Sequence, residues 1–326
     1  MTGLWVYLIK RAVTAVAVVF TVVILSFFLV RLAPGDPATL IAGEAASPEY
    51  IQNVRKLYGL DKPVVDQLII YLSMLLTGNL GYSITFSSPV LNVILDRLPQ
   101  TILLVGSSIV VSFMVGVGLG LLSAKKAYTI VDGLINAVTI ILYSIPAFWL
   151  GLVLIFVFAL QYPVFPIGGM MDINISDDIL TRVASVLHHL ILPSATLSTF
   201  FLATYTRMTR AGLIEALGMN YVVLAQAKGV PENKILLKHA LKNALLPLIT
   251  VLAIQLGLMV GGVVFTETIF SWPGVGSLLI QAVSYRDYPL VTGIFIFTSA
   301  AVALANFIAD IVYMIVDPRI RGEGAR

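Results

Sequence analysis

Six stretches of this chain are long and apolar enough to cross a bilayer, for which roughly 20 mostly apolar residues suffice. The first, Ala12 to Val30, carries no charge, and the second runs from about Thr101 to Ala124. The third lies inside Gly133 to Met171, a run without a charged residue. It is too long for one span, and Pro163 and Pro166 predict that its helix ends near Leu160. Within it, Tyr143-Ser144-Ile145-Pro146 sets a proline where a kink is expected. The fourth, fifth and sixth cover about Val183 to Thr206, Asn243 to Thr266 and Tyr288 to Ala309.

Two connections are too long to be turns, residues 32–100 and 211–242. In the first, Asp61 is placed to cap, Pro63 suits a first turn, and Val65, Leu68, Ile69, Leu72 and Leu76 recur at helical spacing. That pattern predicts an amphipathic helix on the bilayer surface or against the bundle. The second reads as a short helix, a break at Gly229, and a second helix opening at Pro231. Lys234, Lys238 and Lys242 follow at steps of four.

Composition supports the same reading. Of 326 residues, 59% are hydrophobic and 11% charged, and the mean hydropathy is +0.97. A soluble domain is roughly 45–50% apolar and about 25% charged, so one aqueous core cannot hide this much apolar surface. A soluble enzyme, a disordered chain and a fibrous repeat are thereby excluded. The basic residues are scattered between apolar runs, which argues against nucleic acid as a partner. With the N-terminus inside, 13 of the 20 lysines and arginines fall on the inner side and 7 on the outer. The positive-inside rule therefore predicts two cytoplasmic termini. The outer segments set those 7 basic residues against 11 acidic ones, a mild bias that suits a basic partner face and ordinary surface charge equally well. Lys10 and Arg11 precede the first run as in a signal peptide, but the run is long and no small-x-small site precedes Pro34, so it reads as a retained anchor.

The chain holds no cysteine, no G-x-x-x-x-G-K-[ST] phosphate loop and no H-E-x-x-H metal motif. Its histidines are His188, His189 and His239, and no Ser/His/Asp set can be assembled. No catalytic, cofactor or metal residue is assigned, which disfavours an intramembrane enzyme. A standalone ion-coupled carrier is disfavoured because ionisable groups are scarce in mid-membrane. Glu267 ends the fifth span and Asp310 the sixth. Tyr143, Ser144, Trp149, Thr199, Tyr205 and Gln255 are uncharged polar or aromatic positions within spans. They suit a hydrated pathway, and helix–helix hydrogen bonding equally. Gly116, Gly118 and Gly120, and the pair Gly257 and Gly261, suit close helix packing.

The inner segment carries a more specific signal. Tyr221-Val222, Ala225 and Ala227-Lys228-Gly229 are followed by His239-Ala240-Leu241-Lys242-Asn243-Ala244-Leu245-Leu246-Pro247. This resembles the EAA loop of ABC importer permeases, in the variant of the dipeptide/oligopeptide family. The positions of the general Glu-Ala-Ala opening are here Val223, Leu224 and Ala225, a departure that looks normal for the peptide branch. Further likeness runs through Ala33-Pro34-Gly35-Asp36-Pro37, Tyr58 to Pro63, Gly78 to Ser83, Thr268 to Gly276, Arg286 to Pro289 and Asp317 to Arg321. The long outer segment resembles the B-type subunit.

The resemblance implies an all-α integral membrane protein with six transmembrane helices, cytoplasmic termini and a fold like that of type I ABC importer permeases. An anchor helix (1–33), a helical extracytoplasmic segment (34–100), a core of five transmembrane helices (101–316, with coupling segment 211–242) and a cytoplasmic tail (317–326) follow. It implies import of dipeptides or oligopeptides by alternating access, together with a C-type permease, two ABC ATPases and an extracytoplasmic binding protein. Membrane lipid is the surrounding partner, and ATP and Mg are bound by the ATPases rather than by this chain. ATPase coupling is expected at Tyr221, Val222, Ala225, Ala227, Lys228, Gly229, Val230 and Glu232. Docking of the binding protein is expected at Asp177, Asp178, Glu267, Trp272, Arg286 and Asp287. The same assembly importing oligosaccharides or nickel chelates remains an alternative, as, more distantly, does a secondary transporter.

Overall fold

The computed structural model describes residues 2–32, 36–43, 46–57, 59–173, 176–242, 244–245, 248, 251–252 and 263–316. In chain order the helices are α1 (Thr2–Leu32), α2 (Pro37–Ala42), α3 (Pro48–Leu57) and α4 (Val64–Leu76). A small antiparallel hairpin follows, β1 (Tyr82–Ser83) and β2 (Ser88–Pro89). Then come α5 (Val90–Lys125), α6 (Ile130–Ser144), α7 (Ala147–Ile155), α8 (Ile179–Leu217), α9 (Asn220–Ala227) and α10 (Glu232–Lys234). The last are α11 (residues 263–269), α12 (Val275–Ser284) and α13 (Tyr288–Val316). Wider π-helical turns, Phe156–Gln161 and Ile235–Ala240, extend α7 and α10.

Among the described residues, four helices are long and apolar enough to span a membrane: Leu8–Val30 within α1, α5, α8, and Tyr288–Ile311 within α13. A fifth span is formed if α6 and α7 are taken together. The predicted span over 243–266 lies largely outside the described residues, and Gln255, Gly257 and Gly261 lie outside them with it. The tail 317–326 also lies outside.

The apolar runs mark only part of two helices, α5 beginning eleven residues before its run and α8 ending eleven after. At about 1.5 Å per residue, α5 with 36 residues and α8 with 39 reach well over 50 Å, against a hydrocarbon core of ~30 Å. The helical hydrogen-bond ladder continues through charged residues such as Arg97 and Arg210, which a hydropathy window stops at. The third span is not a kinked helix but a broken one. Its halves, Ile130–Ser144 and Ala147–Gln161, meet at 101°. Ile145 is extended (φ −77°, ψ 128°), as the residue before a proline prefers, and Pro146 caps α7.

The fold divides into two units. The first holds α1 to α4, the hairpin, the start of α5 as far as Thr101, α12, and α13 to Phe307. Its core is Val90, Ile94, Leu278, Leu290 and Ile294. Asp61 does not cap α4; Pro63 stands at its N-cap, and Gln67 Nε2 donates back to the carbonyls of Leu60 and Lys62 at 3.1 and 2.7 Å. Val65, Ile69 and Leu76 of the predicted apolar stripe are exposed.

The second unit holds α5 from Ile102, α6 to α11 and Trp272. α6 and α7 both pack on α8. α5 lies on α8 through Gly116 and Gly120, where an added Cβ would stand 2.6 Å from Tyr205 Cβ and 2.6 Å from the Thr206 carbonyl oxygen, respectively. This is a small-xxx-small contact. Gly118, on the other side of α5, has nothing within 4 Å.

Candidate functional site

The segment after α8 forms a knob. Gly218 ends α8, Met219 is extended, and α9 starts at Asn220. The helix is short because Gly229 stops it. Gly229 has φ +72°, donates its N–H to the Gln226 carbonyl at 2.9 Å, and the Val230 N–H reaches Ala225 at 3.2 Å. Those paired bonds are a Schellman cap, which needs a left-handed residue and so favours glycine. Pro231 then precedes α10.

Among the described residues of α9, the buried side chain is Val222. Val222 is 0% exposed, whereas Tyr221, Val223 and Leu224 are exposed. Gln226, Ala227, Lys228 and Gly229 are also exposed, and Ala225 and Val230 partly so. A Cβ added at Gly229 would meet nothing within 4 Å. The rear of the segment is fixed by an apolar cluster of Ala124, Leu213, Ala216, Leu236, Ala240 and Ala244, joining α5, α8 and the turns after α10. Lys125 Nζ donates to Asn233 Oδ1 at 3.0 Å. The predicted coupling residues thus lie along one short stretch, Tyr221, Val222, Ala225 and Ala227 on α9, Lys228, Gly229 and Val230 at and after its cap, and Glu232 on α10, with Val222 an anchor rather than part of the open face. The side chain of Glu232 lies outside the described residues. Lys234, Lys238 and Lys242 are all exposed.

Of the pathway candidates, Tyr143, Ser144 and Trp149 gather at the α6–α7 break and are exposed. Tyr143 lies near Phe200 of α8, ring centres 6.3 Å apart, and Thr199 on α8 is partly buried. Tyr205 is different: it is buried with its ring edge-on to Phe113 and belongs to the α5–α8 core. Its Cβ lies against Gly116, and the residue is 1% exposed instead of facing open space.

The docking candidates also separate. Asp177 and Asp178 are exposed just before α8. Asp177 pairs with Arg182. Asp178 caps α8, taking hydrogen bonds from the Thr181 N–H at 3.0 Å and hydroxyl at 2.9 Å, which hold its carboxyl below the ordinary 3.8. Arg286 is exposed. Glu267, Trp272 and Asp287 are buried and offer no side chain to a docking partner. Trp272 packs with Leu104, Leu190 and Leu197. Asp287 accepts from Ser83 Oγ at 2.6 Å, the Thr85 N–H at 3.0 Å and the Leu290 N–H at 3.1 Å, tying the hairpin to the start of α13. A buried acid with this many donors is an internal tie, and sequence spacing over some 200 residues gives no sign of it.

Residues 116–322 match the family described as binding-protein-dependent transport system inner membrane component, and residues 4–105 match the N-terminal part of such membrane components. The chain belongs to this permease family. It is 40% identical to the probable peptide ABC transporter permease protein y4tP of Sinorhizobium fredii, over 97% of this chain and 99% of that one. It is 38% identical to the oligopeptide transport system permease protein AppB of Bacillus subtilis, over 96% and 98%. It is 36% identical to the di/tripeptide transport system permease protein DppB of Pseudomonas aeruginosa, over 97% and 99%. The permease is therefore an inner-membrane protein and a component of an ABC transporter.

Sequence reading passed over one feature of this permease. Asp132, which is buried, and Arg210, which is partly buried, form an ion pair whose neighbour Ser123 directly precedes Ala124 of the cluster behind the knob. The signal was present: Asp132 is the lone acid immediately before the charge-free run that starts at Gly133.

Proposed function

We propose that this permease is the B-type transmembrane subunit of an ATP-driven importer of dipeptides or oligopeptides, and that α9 with Gly229 is its coupling helix. It lines the translocation pathway with a C-type permease, takes solute from an extracytoplasmic binding protein, and is driven by two ATPase subunits that hold the ATP and Mg. Peptide is favoured by the names of the relatives above. Oligosaccharides or nickel chelates are the alternative cargo of the same assembly.

The observation that carries the coupling reading is the form of the knob. Tyr221, Val223, Leu224 and Ala227 present a largely apolar face to the outside, on a helix rooted by Val222 and fixed from behind to α8. An apolar face beside lysines has no use in the aqueous phase, but it fits a groove on a second protein. In this reading ATP binding draws the ATPases together and shifts the knob. α8 carries that shift to α6 and α7, where Tyr143, Ser144 and Trp149 flank the break. The pathway alternates between two packed states, and hydrolysis resets it.

The test is Gly229→Asp in the assembled transporter. It places a carboxylate and a left-handed strain at the open end of the knob. Membrane insertion stays intact, while ATPase association or uptake is lost. Full association with native uptake would refute the coupling assignment. Uptake that persists without ATP and follows an ion gradient would favour a secondary transporter.

A further inference from the structure

Asp132 is 5% exposed, at the start of α6, and five donors converge on its carboxylate. Arg210 of α8 gives a two-pronged contact, Nε and Nη2 each at 2.7 Å. Ser123 Oγ of α5 donates at 2.5 Å, the Tyr128 N–H at 2.9 Å and Asn136 Nδ2 at 2.8 Å. The guanidinium also lies over the Tyr128 ring, 5.6 Å from its centre. Tyr128 is held at φ +65°, a conformation that a non-glycine residue keeps only when its surroundings enforce it. One carboxylate thus closes the α5–α6 turn and bolts that turn to α8.

Its position gives this cross-link a further meaning. Ser123 is followed directly by Ala124, which packs on the coupling segment, and by Lys125, which bonds Asn233 within it. Leu213 and Ala216, in the two turns after Arg210, belong to the same cluster. At its other end α6 leads to the 101° break. A helix pair held by packing alone can slide, whereas a planar guanidinium–carboxylate fork fixes both distance and orientation. Ion pairs taken out of water contribute little net stability, and in some proteins they serve to fix register instead.

We propose that Asp132 and Arg210 are positioning residues for transport, a clamp that makes the α5–α6 turn and α8 move as one body with the coupling segment. It delivers the displacement of the knob to the α6–α7 break. This rests on the reading of α9 as the coupling helix. Without the clamp, the knob moves against a loosened α6, and ATP turnover no longer opens the pathway.

The experiment uses the complete transporter in proteoliposomes with its binding protein, a peptide known to be taken up, and ATP. ATP hydrolysed per peptide imported is the readout. In Asp132→Asn uptake falls more steeply than hydrolysis, so that ratio rises about tenfold. Arg210→Lys keeps the charge but loses the fork and gives a smaller rise; Asp132→Glu restores the fork and most of the coupling. If Asp132→Asn does not assemble, Arg210→Lys decides alone. A ratio equal to native, whether both rates fall together or neither falls, overturns the clamp. Failure of the underlying reading is seen separately, because Gly229→Asp would then leave the ATPases attached and uptake native.

Discussion

Adding one methyl group at Gly120 and at Gly118 separates helix packing from helix propensity on a single helix. Both residues lie inside α5, so Gly→Ala raises intrinsic helix propensity by about 1 kcal/mol at each. At Gly118 the new Cβ enters open space, and that gain stands. At Gly120 it would stand 2.6 Å from the Thr206 carbonyl oxygen and 2.6 Å from Thr209 Cβ. Ordinary contact begins near 3.4 Å, so α8 must retreat by several tenths of an ångström along a backbone that cannot rotate aside. Overpacking of this kind costs about 1–3 kcal/mol. Gly118→Ala is therefore expected to be neutral or stabilising, and Gly120→Ala to be less stable than Gly118→Ala by about 1–3 kcal/mol. Detergent-mediated unfolding of the purified subunit, followed by helical circular dichroism, measures the difference. Equal stability of the two variants would refute the close approach of α5 and α8.

Three further outcomes follow from the same geometry. Asp287→Ala leaves Ser83 Oγ and the Thr85 N–H without their acceptor and costs on the order of 3 kcal/mol, read as faster proteolysis of the hairpin with α13 still inserted. Asp178 has its carboxyl held below 3.8 by the Thr181 N–H and hydroxyl, so its cap is fully present above that pH and fades as pH falls through the depressed value. Protection of the first-turn amides of α8, taken relative to the intrinsic exchange rate at each pH, is then flat from pH 7 down to about 4 and falls below it, whereas Asp178→Ala is less protected at pH 7. Gly229→Ala, with φ at +72° and no neighbour for its Cβ, loses about 1 kcal/mol of local cap stability. Gly229→Asn tolerates that φ better, so Asn milder than Ala in exchange of α9 amides confirms a backbone role for the cap.

What the sequence made legible was whatever repeats locally. Hydropathy located α1, α5, α8 and α13, because a span is a property of some twenty consecutive residues. The Gly229–Pro231 punctuation located the knob, because a left-handed cap and a first-turn proline are local demands. What the sequence hid was set by distant partners. The true lengths of α5 and α8 depend on packing of their charged ends. Gly118 differs from Gly116 and Gly120 only by which side of α5 meets α8. Glu267, Trp272 and Asp287 are docking candidates only through what the family resemblance implies for the last outer loop. Their burial follows from donors and apolar walls far along the chain. Arg210 counts in the sequence only as one of 13 inner basic residues, and its partner Asp132, 78 residues away, carries no signal that joins the two.

In the proposed mechanism α9 meets a separate motor protein. Because the chain has no cysteine, Ala227→Cys places a single thiol at the exposed end of α9, and Tyr285→Cys gives a matched exposed site after α12. In the assembled, transporting complex, a short thiol-directed photo-crosslinker at Ala227→Cys should join this permease to an ATPase subunit, in a yield that changes with bound nucleotide. Tyr285→Cys should give none. An active complex in which Ala227→Cys captures no ATPase subunit, or in which Tyr285→Cys captures it instead, would contradict the account.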